Sequence, residues 1–117
     1  MEFDPHRPQE AEPCGCSSAL YHFLESENEL GMDDEFAEVS LLVCSVCGQK
    51  WLRYFYENEA FTASGRWYLG AIAGEQTSVL NVANAKATLE GLSWYYYGGS
   101  YFGGQFARIS GKIILNP

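Results

Sequence analysis

Cysteine thiols are the groups in this chain best suited to chemistry, and they occur as two pairs. Cys44 and Cys47 have two residues between them, and Gly48 follows directly. Thiolates at this spacing can bind one metal ion across a tight turn, and a glycine after the second cysteine accepts the positive φ that such a turn needs. Cys14 and Cys16 form the other pair. Together the four side chains predict a tetrahedral zinc site.

The segment 44–51 resembles one half of a zinc-ribbon site, a C-x2-C-G knuckle at the tip of a β-hairpin. The resemblance is confined to these residues and implies no function for the rest of the chain. Four protein thiolates would leave the metal no open position for water or substrate, so we expect the zinc to be structural. His22 is an alternative ligand in place of one cysteine. Because no G-x-S-x-G nucleophile motif occurs either, we do not expect an enzyme.

Two other interpretations of the cysteines stay open. Cys14 and Cys16 have one residue between them, and 27 residues separate Cys16 from Cys44, more than the roughly 15 to 20 of common two-pair zinc sites. The thiols could instead be reduced and partly buried as small apolar groups. Alternatively, Cys44 and Cys47 form a redox dithiol or sensor, although a strand-like run follows them where a helix would be needed to activate a thiol.

The length and composition indicate one globular domain. The chain has 117 residues, of which 47% are hydrophobic, enough for a packed core. Residues 1–13 contain three prolines and predict a flexible lead-in, followed by a single zinc-stabilised domain over 14–117. No apolar run approaches the ~20 residues of a membrane helix, and the N-terminus lacks the apolar segment of a signal peptide. We therefore expect a cytoplasmic protein without a membrane partner, in which thiols stay reduced.

Charge is distributed unevenly along the chain. The net charge is −8, and residues 1–40 contain eleven of the fifteen acids but one base. Such an acidic segment argues against nucleic-acid binding, because phosphates would be repelled. It is compatible with a basic protein partner. The predicted function is therefore protein binding, one form of which is a bacterial immunity-type inhibitor that shields a basic toxin.

Alternating apolar residues predict four strands, the first three of which form an antiparallel meander. Their predicted ranges are Phe36–Cys44, Trp51–Tyr56, Arg66–Ala73 and Phe106–Leu115. The charged stretch Glu25–Glu35 is predicted to be a solvated loop. Residues 18–24 fit a short helix, and a strand fits almost as well.

One helix is predicted after the third strand. Apolar residues recur at intervals of 3, 4 and 3 positions, namely Val82, Ala85, Leu89 and Leu92. A helix that begins near residues 77–81 and ends near Leu92 would place them on one stripe against the sheet. The predicted fold class is therefore α+β, with an antiparallel sheet of about four strands, one main helix and a zinc-ribbon-like knuckle.

The segment 93–105 is the second place where function could reside, since it contains six aromatic residues and four glycines. Tyrosines beside glycine turns are typical of recognition loops. The alternative is that Trp94, Tyr95 and Phe102 complete the core while the glycines permit turns. The sequence does not decide between these interpretations.

Overall fold

The structure, a computed structural model, describes residues 24–57 and 64–113. These residues form one antiparallel sheet of six strands, in which every pair of neighbouring strands is consecutive in the chain. The strands are β1 (Leu24–Met32), β2 (Glu38–Cys44), β3 (Lys50–Tyr56), β4 (Arg66–Ile72), β5 (Tyr95–Gly98) and β6 (Ala107–Ile109). A short 3-10 helix (Gly74–Val79) and the helix α1 (Ala85–Glu90) connect β4 to β5.

The central strands agree with the prediction. β2, β3 and β4 begin and end within two residues of their predicted ends, and they pair as the expected antiparallel meander. Apolar side chains at alternate positions of β2 and β3 are buried on one face, where Leu41 lies opposite Leu52 and Val39 opposite Tyr54. The alternation that identified these strands therefore reflects burial on the face that packs into the core.

The predicted α+β fold class, with about four strands and one main helix, is wrong. The sheet has six strands, and the longest helices in the described part of the chain have six residues. Most of the predicted loop Glu25–Glu35 belongs to the edge strand β1. Two irregularities interrupt its pairing with β2, between Ser26 and Asn28 and between Glu29 and Gly31. Bulges and charged side chains are typical of edge strands, because both discourage pairing with another chain.

The predicted helix is shorter because two asparagines compete with it. The backbone N–H of Asn81 donates to Asn84 Oδ1, and the N–H of Asn84 donates to Asn81 Oδ1, each at 2.9 Å. Side chains that bond nearby backbone groups in this way favour a turn over a continuing helix. Leu80 is extended (φ −79°, ψ 141°), so the 3-10 turn and α1 are separate elements.

The predicted apolar stripe nevertheless packs against the sheet. Ala85 and Leu89 are completely buried, and Val82 and Leu92 contact the same core cluster. Gly70 on β4 makes this approach possible, since a Cβ there would lie 2.6 Å from Leu89 Cδ2 and 2.5 Å from Leu92 Cδ1. We call this side of the sheet the helix face and the other side, where Cys44, Trp51, Leu69 and Tyr96 are buried, the opposite face.

The chain leaves the sheet after β6, which is much shorter than the predicted strand Phe106–Leu115. Gly111 has a φ of 97° and accepts a hydrogen bond from the Tyr95 hydroxyl at 2.5 Å. The N–H of Ile113 then donates to Glu90 Oε2 at 2.8 Å, which places Ile113 in the core. Leu115 lies outside the described residues. Within 24–57 and 64–113, no helix is long and apolar enough to cross a membrane.

Candidate functional site

The C-x2-C-G knuckle lies where the sequence placed it, at the tip of the β2–β3 hairpin. Residues 45–47 form the turn, and Gly48 has a φ of 82°. The backbone N–H of Val46 donates to Cys44 Sγ at 3.4 Å, and the N–H of Gly48 donates to the Cys44 carbonyl at 2.9 Å. A backbone donor aimed at sulfur would orient and stabilise a thiolate ligand.

The two thiols of the knuckle differ in accessibility. Cys44 is buried beside Trp51 on the opposite face, whereas Cys47 is exposed at the tip. In the described part of the chain, no group of three or more His, Cys, Asp or Glu side chains could hold a metal ion. The other predicted ligands, Cys14 and Cys16, and the alternative His22 lie outside the described residues. The zinc site predicted from Cys14, Cys16, Cys44 and Cys47 therefore stays a prediction.

The β1–β2 turn was not identified from the sequence as a site, and Asp33 organises it. Its Oδ1 accepts hydrogen bonds from the N–H groups of Glu35 and Ala37, each at 2.9 Å. Its Oδ2 accepts a hydrogen bond from the Tyr54 hydroxyl. The pKa of the Tyr54 hydroxyl is raised above its usual value, mainly by burial and to a smaller extent by this hydrogen bond to Asp33. The turn is thus attached to a buried residue of β3.

Phe36 is held in an unfavourable conformation by this turn. Its φ is 65°, and it is the only non-glycine residue with a positive φ among those described. Its N–H donates to the Asp33 carbonyl at 3.0 Å. A left-handed conformation is disfavoured for a bulky residue, and such strain is often found at functional sites. The result is a phenylalanine side chain that is 73% exposed, close to Met32, which is 54% exposed.

These two residues belong to a groove at the end of the sheet, which we call the Phe36 groove. Met32, Glu38 and Phe55 lie opposite one another on β1, β2 and β3. The groove is lined by four apolar residues and three exposed glutamates: Met32, Phe36, Phe55, Tyr56, Glu35, Glu38 and Glu57. Apolar and acidic side chains are therefore interspersed in it, with Glu38 between Met32 and Phe55.

Two arginines contact aromatic rings that line the groove. The Arg53 guanidinium lies 5.0 Å from the centre of the Phe55 ring, and that of Arg66 lies 5.2 Å from the centre of the Tyr56 ring. Arg66 is completely buried and also stacks on Tyr101 at 3.6 Å. Cation–π contacts of this kind stabilise the positions of the two rings, which lie on opposite faces of β3.

The aromatic, glycine-rich segment contributes mainly to the core. Tyr95 and Tyr96 on β5 are buried, one on each face of the sheet, and Trp94 packs edge-on against Tyr96 with ring centroids 5.1 Å apart. Burial also raises the pKa of Tyr95 to about 12. Phe102 is half-buried against Tyr97, at 4.4 Å between centroids. The packing therefore favours the core interpretation for this segment.

Sequence reasoning missed Phe36 because it was assigned to a strand. The sequence nonetheless contained a signal, because Asp33 can begin a turn. Phe36 also stands among acidic residues, without the alternation of apolar and polar residues that a strand would show. Comparison of the chain with protein-family models, curated proteins and solved structures gave no match.

Proposed function

We propose that this protein acts by binding another protein through the Phe36 groove, and that a structural metal at the cysteine knuckle stabilises its fold. The observation that carries the proposal is the exposed Phe36 in a left-handed backbone conformation. A solvent-facing aromatic residue that also strains the backbone has no benefit for the isolated fold. Exposed aromatic anchors with a polar rim are typical of protein interfaces.

The charge of the groove supports a basic partner. Residues 25–38 contain seven acids and no base, and Glu35, Glu38 and Glu57 line the groove together with its apolar residues. Acidic groups in the groove would accelerate association with a positively charged surface and would repel acidic competitors. An immunity-type inhibitor that shields a basic toxin is one form that such a protein could take.

The proposed metal has a structural role. Cys44 and Cys47 would supply two of its ligands, and Cys14 and Cys16 would supply the others. The N–H donor to Cys44 Sγ and the left-handed Gly48 support this part of the proposal. A fully thiolate-coordinated zinc has no open position for chemistry, so the function proposed is binding and not catalysis.

Affinity capture from a lysate of the source organism tests the binding function. The wild type should retain a partner that is lost with Phe36→Ala and with the charge reversal Glu38→Lys. Glu75→Lys and Val79→Ala are matched controls, because both residues are exposed and lie outside the groove. Equal recovery of every bound protein by the groove variants and the wild type would contradict the proposal.

A further inference from the structure

The Phe36 groove combines two features that recognise the same kind of side chain. Phe36 is 73% exposed, so most of its side chain is accessible to a partner. Glu35 and Glu38 are exposed on either side of it in sequence. An aromatic face attracts a cation through the ring quadrupole, and carboxylates attract the same cation through charge and hydrogen bonds.

Rings elsewhere in this protein already bind guanidinium groups. Arg66 stacks on Tyr101 at 3.6 Å, and Arg108 stacks on Trp94 at 4.0 Å. In the described part of the chain, no arginine or lysine is stacked on Phe36. Phe36 thus offers a partner the kind of contact that its own arginines make with other rings.

Building on the proposed function, we infer that the partner segment inserts an arginine into the Phe36 groove. The planar guanidinium stacks on the Phe36 ring and donates hydrogen bonds to the glutamates that line the groove, while the methylene stem packs beside Met32. Arginine fits better than lysine because its planar, weakly hydrated group stacks on rings and binds carboxylates in a bidentate manner. Its apolar stem also suits the apolar residues of the groove.

A basic segment of another protein is favoured over a second copy of this chain. The net charge of −8 opposes the approach of two copies, and the groove lies in the most acidic part of the sequence. A dimer would therefore bury like charges at its centre. The occupant to which the inference commits is a cationic, partly apolar segment of a different protein.

The test uses three short fluorescent peptides that share one sequence of alternating leucine and a test residue, with arginine, lysine or citrulline at the test positions. Citrulline keeps the planar shape of arginine but is uncharged. Binding to the full-length protein is measured by fluorescence anisotropy, and backbone NMR shifts locate the site. The protein variants are Phe36→Ala and Glu38→Gln, with Glu75→Gln as the matched control outside the groove.

We expect the arginine peptide to bind about tenfold more tightly than the citrulline peptide, which corresponds to ~1.4 kcal/mol, and more tightly than the lysine peptide. Phe36→Ala and Glu38→Gln should each weaken it, Glu75→Gln should not, and added salt should weaken it as charges are screened. Equal affinities for arginine and citrulline, shifts away from the groove, or no binding of any peptide would overturn the inference. If affinity capture still depended on Phe36, those results would contradict the arginine inference but not the proposed binding function. The inference and the proposed function can therefore fail separately.

Discussion

Replacing Phe36 by glycine and by alanine should invert the usual order of stability. At an ordinary position, glycine is less stable than alanine by about 0.5–1 kcal/mol because it loses more chain entropy on folding. At a left-handed position, an L-residue with a Cβ is disfavoured by about 1–2 kcal/mol, whereas glycine is not. With a φ of 65° at Phe36, the second effect exceeds the first. Phe36→Gly should therefore be more stable than Phe36→Ala by about 0.5–1 kcal/mol.

The difference in stability between the two variants reports the cost of the left-handed backbone conformation, because both variants remove the same ring contacts. For a domain of this size, the difference corresponds to a Tm gap of about 2–6 °C. It is measured by thermal and urea unfolding monitored by circular dichroism. The stability of Phe36→Asn should be close to that of Phe36→Gly, since asparagine tolerates the left-handed region. Phe36→Gly and Phe36→Asn should nevertheless both lose partner binding, because they lack the aromatic anchor.

The exposed residue Val79 supplies the control. It lies at the end of the 3-10 turn, is 66% exposed and does not have a positive φ. There, Val79→Gly should be less stable than Val79→Ala by about 0.5–1 kcal/mol, the ordinary order. If Phe36→Gly were also less stable than Phe36→Ala, the strain assigned to Phe36 would be refuted, and with it the main support for a functional groove.

Three further predictions concern the metal, the packing and the pH dependence. Protein purified without added metal should contain one zinc per chain by elemental analysis. Cys44→Ser should abolish zinc binding and unfold the protein, because structural zinc binding is coupled to folding. A stable, metal-free wild type would contradict this prediction. Gly99→Ala should lower the free energy of unfolding by about 2–5 kcal/mol, because the φ of Gly99 is 117° and a Cβ there would lie 2.5 Å from the carbonyl oxygen of Gly65. A loss below ~1 kcal/mol in urea unfolding would show that the loop shifts to accept the methyl group and would contradict this prediction. Burial raises the pKa of Tyr95 from 10.0 to about 12 and that of Tyr54 also above 10.0, so these tyrosines ionise at lower pH in the unfolded chain than in the folded protein. Their contribution to the free energy of unfolding should therefore be complete below pH 10 and fall as the pH rises towards 12. In urea unfolding at alkaline pH, Tyr95→Phe should make this fall less steep.

The central strands were predictable because burial is periodic there. Val39 and Leu41 on β2, like Leu52 and Tyr54 on β3, alternate with residues of the other face, and this pattern survives in the structure. The turn that contains Cys44 and Cys47 was predictable because a glycine after Cys47 suits a positive φ, and the φ of Gly48 is 82°.

The remaining elements depend on contacts that periodicity does not reveal. β1 was mistaken for a loop because its charged side chains lie at a sheet edge, where pairing with β2 outweighs low strand propensity. The helix was overestimated because the mutual hydrogen bonds of Asn81 and Asn84 stop it. Phe36 was missed because its left-handed backbone depends on Asp33, whose side chain is fixed by Tyr54 from β3.

The sequential order of the strands has a consequence for how the binding surface can change. Every strand pairs with its chain neighbour, and the β1–β2 and β2–β3 connections are short, so these pairings do not need distant segments to meet first. The longer connection between β4 and β5 contains the 3-10 helix and α1. β1 lies at one end of this series and contacts a single strand within the sheet. Its backbone amides should therefore exchange with solvent by local opening while those of β3 and β4 stay protected. The β1–β2 hairpin can accordingly gain, lose or exchange residues in its turn, and so acquire new partners, without altering the register of the strands that contain the core.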